Sequence, residues 1–523
     1  MKKTISILIT SLFLLFFCHC TDNNGERKGE SEAGNLLIGW ATGDITPDRP
    51  VLVQGQFPAR VSEGILDPLT ITALVLESVG ETSSEQVVFV SCDIIGIRSE
   101  LLAAVQNRLK DLLPEIKPEA IILNATHTHT APYASVATDS KTIYGIELET
   151  MSPAECLQYI SENIASAVVE AWNNREPGGI SYGLGHAVVG HNRLQADFDG
   201  KSLMYGNTNR PEFSHMEGFE DHTVNLLYTW DEKSNLTGVV INVPCPSQVT
   251  ESLHKISADY WHETRAEVRK RLGDNLYVLP QCGSAGDQSP HIRVGEKAEL
   301  RMQKLMFPEE TEIGDQTIAH RKQIAVRIAD AVTSVYPYVK DDIEWNPVVK
   351  HEMRVMNLSR RLISMSDVNS SMEEAKKWTK KYEELLAEIE ANPAIKEKDR
   401  WYYEITQTYT MAKRGESVKE RYELEKVQPK LPVQIHVARI GDIVMATNPF
   451  ELYLDYGTRI KARSSATQTF IIQLSNGGYG YLPTSRSISG GAYGAVPAST
   501  QIGPEGGQEL VEGTLAIIDE MMK

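Results

Sequence analysis

The sequence predicts an α/β fold. Two observations carry that expectation: short apolar runs of strand length alternate with amphipathic stretches of helix length, and the strand, helix, strand rhythm occurs twice. A chain of 523 residues, 41% hydrophobic and 23% charged, can bury a substantial core, although its length alone allows two to four domains.

The elements follow in order. Apolar runs at 36–40 and 51–53 flank the turn Gly43-Asp44-Ile45-Thr46-Pro47, and 69–76, 87–90 and 121–123 read as buried strands. Between them, 99–113 places Leu101, Leu102, Val105, Leu109 and Leu112 close to a 3.6-residue period, and 154–172 does the same, so both are helices. The rhythm returns with a strand at 238–244 running into Pro244-Cys245-Pro246, a helix over 259–272 and a strand at 276–279. Ser371 and Glu374 have capping-box spacing, and Trp378, Tyr382, Leu385 and Ile389 share a face of a long helix that ends before Pro393. A second helix over 399–413 completes a helical insertion spanning about 358–430. Residues 433–440 alternate with period two, Gly441-Asp442 is a hairpin turn, and 443–447 is the returning strand. The last segment is rich in glycine.

Charge narrows the partners. Lysine and arginine total 52 against 70 acidic residues, a net −18 with no long basic run, which argues against nucleic acid. Residues 5–17 form the one membrane-like apolar stretch, preceded by Lys2 and Lys3 and too short to span a bilayer. Cys18 and Cys20 close it, and a polar run follows. The segment is read as a lipoprotein signal peptide (1–20) and a flexible tether (21–34), with Cys20 favoured over Cys18 for the lipid; a cleaved secretory peptide is the alternative. On either reading the folded part starts near Asn35 and works outside the cytoplasm, at a bacterial envelope. Cys92, Cys156, Cys245 and Cys282 are too scattered for a disulfide framework.

Two segments carry chemistry. Thr126-His127-Thr128-His129-Thr130 puts two imidazoles on one face at the exit of a buried strand, a spacing that suits either a metal or catalytic site or a structural pair. Gly283-Ser284-Ala285-Gly286-Asp287-Gln288-Ser289-Pro290 follows a strand and holds a serine restrained by proline, either a nucleophile or an ordinary turn residue.

With these motifs, in this order, the chain resembles the neutral, non-lysosomal ceramidases over nearly all of its expected mature length. The family's opening glycine-led Asp-Ile-Thr segment is matched at 39–47, its strand ending in aspartate at 88–93, and its Thr-His-Thr-His-Ser-Gly-Pro motif at 126–132, with Thr130 and Ala131 in place of Ser-Gly. Asn192-Arg193, the Gly-Asp-x-Ser-Pro equivalent at 286–290, the hairpin leading to Asn448-Pro449-Phe450-Glu451, and the tyrosine segment at 476–484 complete the series.

The resemblance implies a ceramidase-type catalytic domain over 35–523 and a zinc-dependent hydrolase of an N-acyl amide. It implies a zinc ion held by His127, Glu451, Tyr481 and the residue at the family's second histidine, which is Cys245 here. Thiolate is a good zinc ligand, while a buried small hydrophobe is the other reading of Cys245. Ser289 takes the nucleophile's position, His129 that of a support behind the metal ligands or of a proton carrier, and Arg193 suits an anionic or hydroxyl-rich part of the substrate or a structural ion pair. His254 and His262 are possible replacement ligands. Two departures bear on the substrate. Residues 486–494 do not match the family's stretch after the tyrosine motif, and the chain is expected to lack the family's C-terminal immunoglobulin-like domain. The substrate is therefore expected to be an amphipathic amide or another polar or glycan-derived conjugate. The alternative class is a non-catalytic surface lipoprotein that binds on the same fold.

Overall fold

The computed structural model describes residues 35–80, 84–312 and 316–523. The expected signal peptide, tether and lipidated Cys20 or Cys18 lie outside the described residues.

Two sheets face each other, each backed by helices. The larger has eight strands in the spatial order Tyr277–Cys282, Leu236–Val243, Thr223–Asp231, Glu176–His186, Asn35–Asp44, Thr70–Val79, Ser84–Cys92 and Ile121–Ala125. Pairing is antiparallel except for the outermost pair at each end, where helical crossovers return the chain in parallel. The two parallel edges approach each other, since Asn124 Nδ2 donates to the Pro280 carbonyl at 3.1 Å. The second sheet is Val349–Ser359, Lys430–Ile440, Ile443–Thr447 and Gln468–Ile472.

Alternation along the strands explains the layering. In Thr70–Val79, Leu74 and Leu76 face the second sheet, where they meet Ile440, Met445, Phe470 and Ile472, while Ala73 and Val75 face the helices Ser99–Leu112 and Pro153–Asn173. Leu101, Val105 and Leu109 supply the buried stripe expected of the first helix. On the other half of the large sheet, Tyr260–Leu272 and Gln316–Val339 cover Val224, Leu226, Val239 and Ile241.

Two long helices, Met365–Ala391 and Tyr403–Val427, separate two strands that pair with each other, Val349–Ser359 and Lys430–Ile440. The first begins before the expected Ser371–Glu374 box: the reciprocal cap is Ser364 with Asp367, and Ser371 lies inside the helix. Of the expected face, Tyr382, Leu385 and Ile389 pack against Tyr144, Ile146 and Leu148, while Trp378 stays outside that cluster with its Nε1 donating to Glu374 at 3.4 Å. The second helix runs past the expected 413 to Val427.

The glycine-rich C-terminal segment ends in a helix, Pro504–Met522, that periodicity did not disclose. Its glycines permit close packing: a Cβ at Gly507 would lie 2.4 Å from the Tyr456 ring.

A buried chain of neutral groups ties the sheets together. Asn476 accepts from the Leu123 amide at 2.8 Å and donates to the Ile121 carbonyl at 2.9 Å, holding the strand that leads to the two histidines. The same Nδ2 lies 2.9 Å from His436 Nε2, and His436 Nδ1 lies 3.0 Å from His351 Nε2. Since the Asn476 amide can only donate, His436 accepts on Nε2 and donates from Nδ1, so both rings are wired as neutral imidazoles. Burial pushes His351 down to about 4, and burial with the neighbouring ring pushes His436 down to about 3.

These folded-state values lie below the ordinary ~6.5 of an unfolded chain. The contribution of the two rings is therefore complete above about pH 6.5 and is lost as pH falls towards 4 and 3, because the unfolded state takes up protons first. Thermal unfolding between pH 7 and 4 should show a falling midpoint, and His436→Gln, which removes one titrating group, should flatten that slope.

Candidate active site

The site lies where strands of both sheets end. His127 and His129 follow Ile121–Ala125, Gln248 and Glu251 follow Leu236–Val243, and Ser289 follows Tyr277–Cys282. From the second sheet, Glu451 and Tyr481 follow Ile443–Thr447 and Gln468–Ile472 and stand opposite each other in a short parallel pair.

The Thr-His-Thr-His-Thr segment has two faces. Thr128 and Thr130 both donate to the Ser257 carbonyl, at 2.8 and 2.9 Å, while the histidine rings meet edge to face with centroids 4.8 Å apart. His127 has φ 65°, a costly conformation for a residue with a Cβ. Two bonds hold it there: its amide to the Ile94 carbonyl at 3.0 Å, and Nδ1 to the Ile95 carbonyl at 2.5 Å. Arg60 secures the neighbouring backbone, its guanidinium donating to the carbonyls of His129, Gln54, Glu251 and Leu253.

Hydrogen-bond logic assigns the tautomers. A carbonyl only accepts, so His127 Nδ1 carries a proton. Gln248 Oε1 accepts from Arg193 Nη1 at 3.3 Å, so its amide nitrogen faces and donates to His129 Nε2 at 2.7 Å. Burial, then the charges of His127, Arg60 and Arg193, keep His129 well below the ordinary imidazole value and neutral. His127 Nε2 lies 3.3 Å from His129 Nε2 and 3.5 Å from Glu451 Oε2, so two imidazoles and a carboxylate meet in a buried space. Such a cluster is stable only with a positive charge beside it.

Arg193 supplies one. Its Nη2 donates to the Gly286 carbonyl at 2.8 Å and to the Tyr481 hydroxyl at 3.3 Å, and lies 3.8 Å from Glu451 Oε2; Nη1 reaches Tyr205 at 2.7 Å. Burial opposes its charge, but Tyr205, Tyr481 and Glu451 more than offset that and hold the guanidinium well above its ordinary value. Glu451 shows the same balance. Burial works to raise it, and His127, Arg193 and Tyr481 bring it below the ordinary carboxylate value.

Ser289 is fully buried in the Gly286–Asp287 loop. Its Oγ accepts from the His291 amide at 3.0 Å and meets the Tyr205 hydroxyl, which links it through Arg193 to Tyr481 and Glu451. The loop is pinned to Arg193, whose amide donates to the Asp287 carbonyl at 2.9 Å. Gly286 is required by contact, because a Cβ there would lie 2.3 Å from the Glu451 carbonyl.

The structure therefore brings together His127, His129, Arg193, Ser289, Glu451 and Tyr481. Cys245 is placed differently. Its Sγ points to the Pro246 carbonyl at 3.5 Å and it packs in the apolar core with Val243, Val249, Tyr260 and Trp261. Burial, then Cys282 and Asp259, drive its thiol well above the ordinary value, which disfavours thiolate. Among the described residues no group of three or more His, Cys, Asp or Glu side chains is placed to hold a metal ion, so His127, Cys245 and Glu451 are not gathered as one ligand set. His254 lies against Glu63 at 3.4 Å and His262 beside the Asp67–Arg321 pair, both elsewhere.

Tyr205, Gln248 and Glu251 are the residues that sequence reasoning missed. Glu251 lies 3.1 Å from His291 Nε2 and 3.9 Å from His129 Nδ1. None sits in a motif, and Tyr205 reaches the site from an irregular loop that only tertiary folding returns.

Gly55 touches the site from outside. It has φ 119°, and a Cβ there would lie 2.7 Å from the His129 ring. Gly55→Ala should cost about 2 kcal/mol in denaturant unfolding and shift the His129 ring resonances; an unshifted ring would contradict the close contact.

No protein-family model matches the sequence, and no curated protein matches it. Solved structures do. The neutral ceramidase from Pseudomonas aeruginosa aligns over 93% of this chain and 75% of its own, with TM-score 0.65 and 16% identity. A ceramidase complexed with C2 aligns over 93% and 76%, with TM-score 0.63 and 16% identity. The chain has the mixed α/β fold of the bacterial neutral ceramidases.

Proposed function

We propose that the protein hydrolyses the amide bond of an N-acyl conjugate, with Ser289 as nucleophile and a zinc ion held by His127, Glu451 and Tyr481. One observation carries the reading: two imidazoles, a carboxylate, a tyrosine, an arginine and a buried serine loop converge at strand ends, on a fold whose solved neighbours include a neutral ceramidase.

The donor chemistry fits a cation, because an imidazole nitrogen and a carboxylate are zinc donors, and His127 Nε2 lies 3.5 Å from Glu451 Oε2 with Tyr481 beside them. Such an ion supplies Lewis-acid polarisation of the scissile carbonyl. The chain's own residues do the rest. Ser289 Oγ forms an ester with the acyl carbon as the C–N bond breaks, and the serine proton ends on the departing amine. Water then splits the ester, returning the Ser289 hydroxyl and releasing the carboxylic acid. His129, kept neutral, is the imidazole suited to carry the proton. Arg193 and Tyr205 hold the loop and offer donors to the carbonyl oxygen as it gains charge. We further propose that this activity operates at a bacterial envelope, tethered through a lipid on Cys20.

Ser289→Ala should lower kcat about a thousandfold or more while leaving the thermal midpoint within a few degrees; unchanged turnover of N-acyl amides would remove the nucleophile.

Elemental mass spectrometry of the full-length protein, purified without chelator, should find about one zinc per chain. Glu451→Gln should reduce it and Cys245→Ala should leave it unchanged; loss of zinc in Cys245→Ala would restore the thiolate to the ligand set.

A further inference from the structure

A concentration of positive charge borders the site in a protein whose net charge is −18. Arg360, Arg361, Arg414 and Arg421 surround the segment from Tyr493 to Gln501. Arg361 donates to the Ala495 carbonyl, Arg421 to Thr500 at 2.7 Å and to Pro497, Arg360 to Gln428 at 2.9 Å, and Arg414 to the Ser499 hydroxyl at 2.7 Å. Their partners are carbonyls, amides and a hydroxyl, and none of the four forms an ion pair with a carboxylate among the described residues. Two acids whose charge acts on the cluster are committed elsewhere: Glu425 accepts from the Ile363 amide, and Asp367 caps the first insertion helix. Burial, then repulsion from Arg414, Arg361 and Arg360, brings Arg421 down to about 10 against the pull of Glu425, as expected where buried cations outnumber their counter-charges.

Position gives the cluster a use. The Arg414 guanidinium carbon lies 4.8 Å from the Tyr493 ring centre and 5.7 Å from that of Phe57, and these two rings meet edge to face at 5.9 Å. Tyr493 also packs at 5.9 Å on Tyr481, so Arg414 stands one ring away from the site. Tyr493 is 38% exposed, so this edge is open to solvent. The helix carrying Arg414 is anchored to the loop beside His129: Thr410 donates to the Phe57 carbonyl at 2.9 Å, and Thr406 accepts from the Ala59 amide at 2.9 Å. A guanidinium with one bond to a hydroxyl retains donors in a planar fork, the geometry that matches carboxylate, sulfonate or phosphate oxygens.

We propose that Arg414, backed by Arg360, Arg361 and Arg421, is the specificity-determining lip of the site, and that the amide substrate carries an anionic group on the side that meets Tyr493 and Phe57. The proposal rests on the reading of the site as an amide hydrolase and names its substrate class. The stretch 486–494 that departs from the ceramidase pattern supplies Tyr493, and the helical insertion supplies Arg414, so the two features coincide at one edge.

The test compares N-octanoyltaurine with N-octanoylethanolamine, which share the acyl amide and differ in a terminal sulfonate. Their dissociation constants are measured by calorimetry at low salt on the full-length Ser289→Ala protein, which removes turnover from the readout. The sulfonate should bind about tenfold tighter. Adding Arg414→Gln should reduce the preference to under about twofold, and Arg414→Lys should keep part of it. Equal affinities, no measurable binding of the sulfonate, or a preference untouched by Arg414→Gln would overturn the proposal. Hydrolysis is scored separately on the protein with Ser289 intact. If neither amide is cleaved while the sulfonate preference holds, the hydrolase reading fails and the anion lip stands; cleavage of the neutral amide without a preference has the opposite meaning.

Discussion

The site is organised around a buried guanidinium. Arg193 is 2% exposed, and a charge so far from water is tolerable only if acceptors meet its terminal nitrogens. Tyr205, Gln248, Gly286, Tyr481 and Glu451 do so, and they arrive from five separate stretches of chain. Removing one partner of such a buried pair typically costs about 3–5 kcal/mol, because the other is left uncompensated. The constraint therefore reaches beyond chemistry: it fixes how the Ser289 loop, the Glu451 turn and the Tyr481 segment seat against one another.

A second set of bonds holds the histidine side of the site. His127 keeps a left-handed backbone conformation because two carbonyls grip its ring and amide, and Arg60 gathers four loop carbonyls. Behind the strand, Asn476 couples Ile121 and Leu123 to His436 across the two sheets. The residues that face substrate thus stand on rigid, satisfied backbone, the condition under which electrostatic preorganisation is effective. The outer edge differs. There the insertion helix, the Tyr493 segment and Phe57 meet through aromatic edges and a guanidinium, contacts that can be exchanged without disturbing the inner network.

Much of the fold was legible because burial imposes a period. The alternation at 433–440, the 3.6-residue stripe from Leu101 to Leu109, and the apolar runs 69–76 and 87–90 all correspond to elements within a few residues of their expected bounds. Failures came where another rule took over. The helix Pro504–Met522 was obscured because glycines that lower helix propensity are there to admit Tyr456 and Ser359 at close range. The start of the first insertion helix was displaced because two capping-box spacings compete, and only Ser364–Asp367 has the flanking backbone in an extended conformation.

For the site, sequence by itself determined the donors: the paired histidines, the serine in its glycine-bounded loop, and the glutamate and tyrosine whose order resembles the ceramidases. Local spacing suffices there, because residues two apart on an extended segment share a face. Tertiary structure alone decided which of them meet. It set Cys245 in the apolar core, recruited Tyr205 and Gln248 from outside any motif, and brought Arg414 from the second insertion helix to the edge of Tyr493. The physical reason is that pairing of buried charge and packing of aromatic edges are satisfied between distant parts of the chain, and such pairings leave no periodic trace in the sequence.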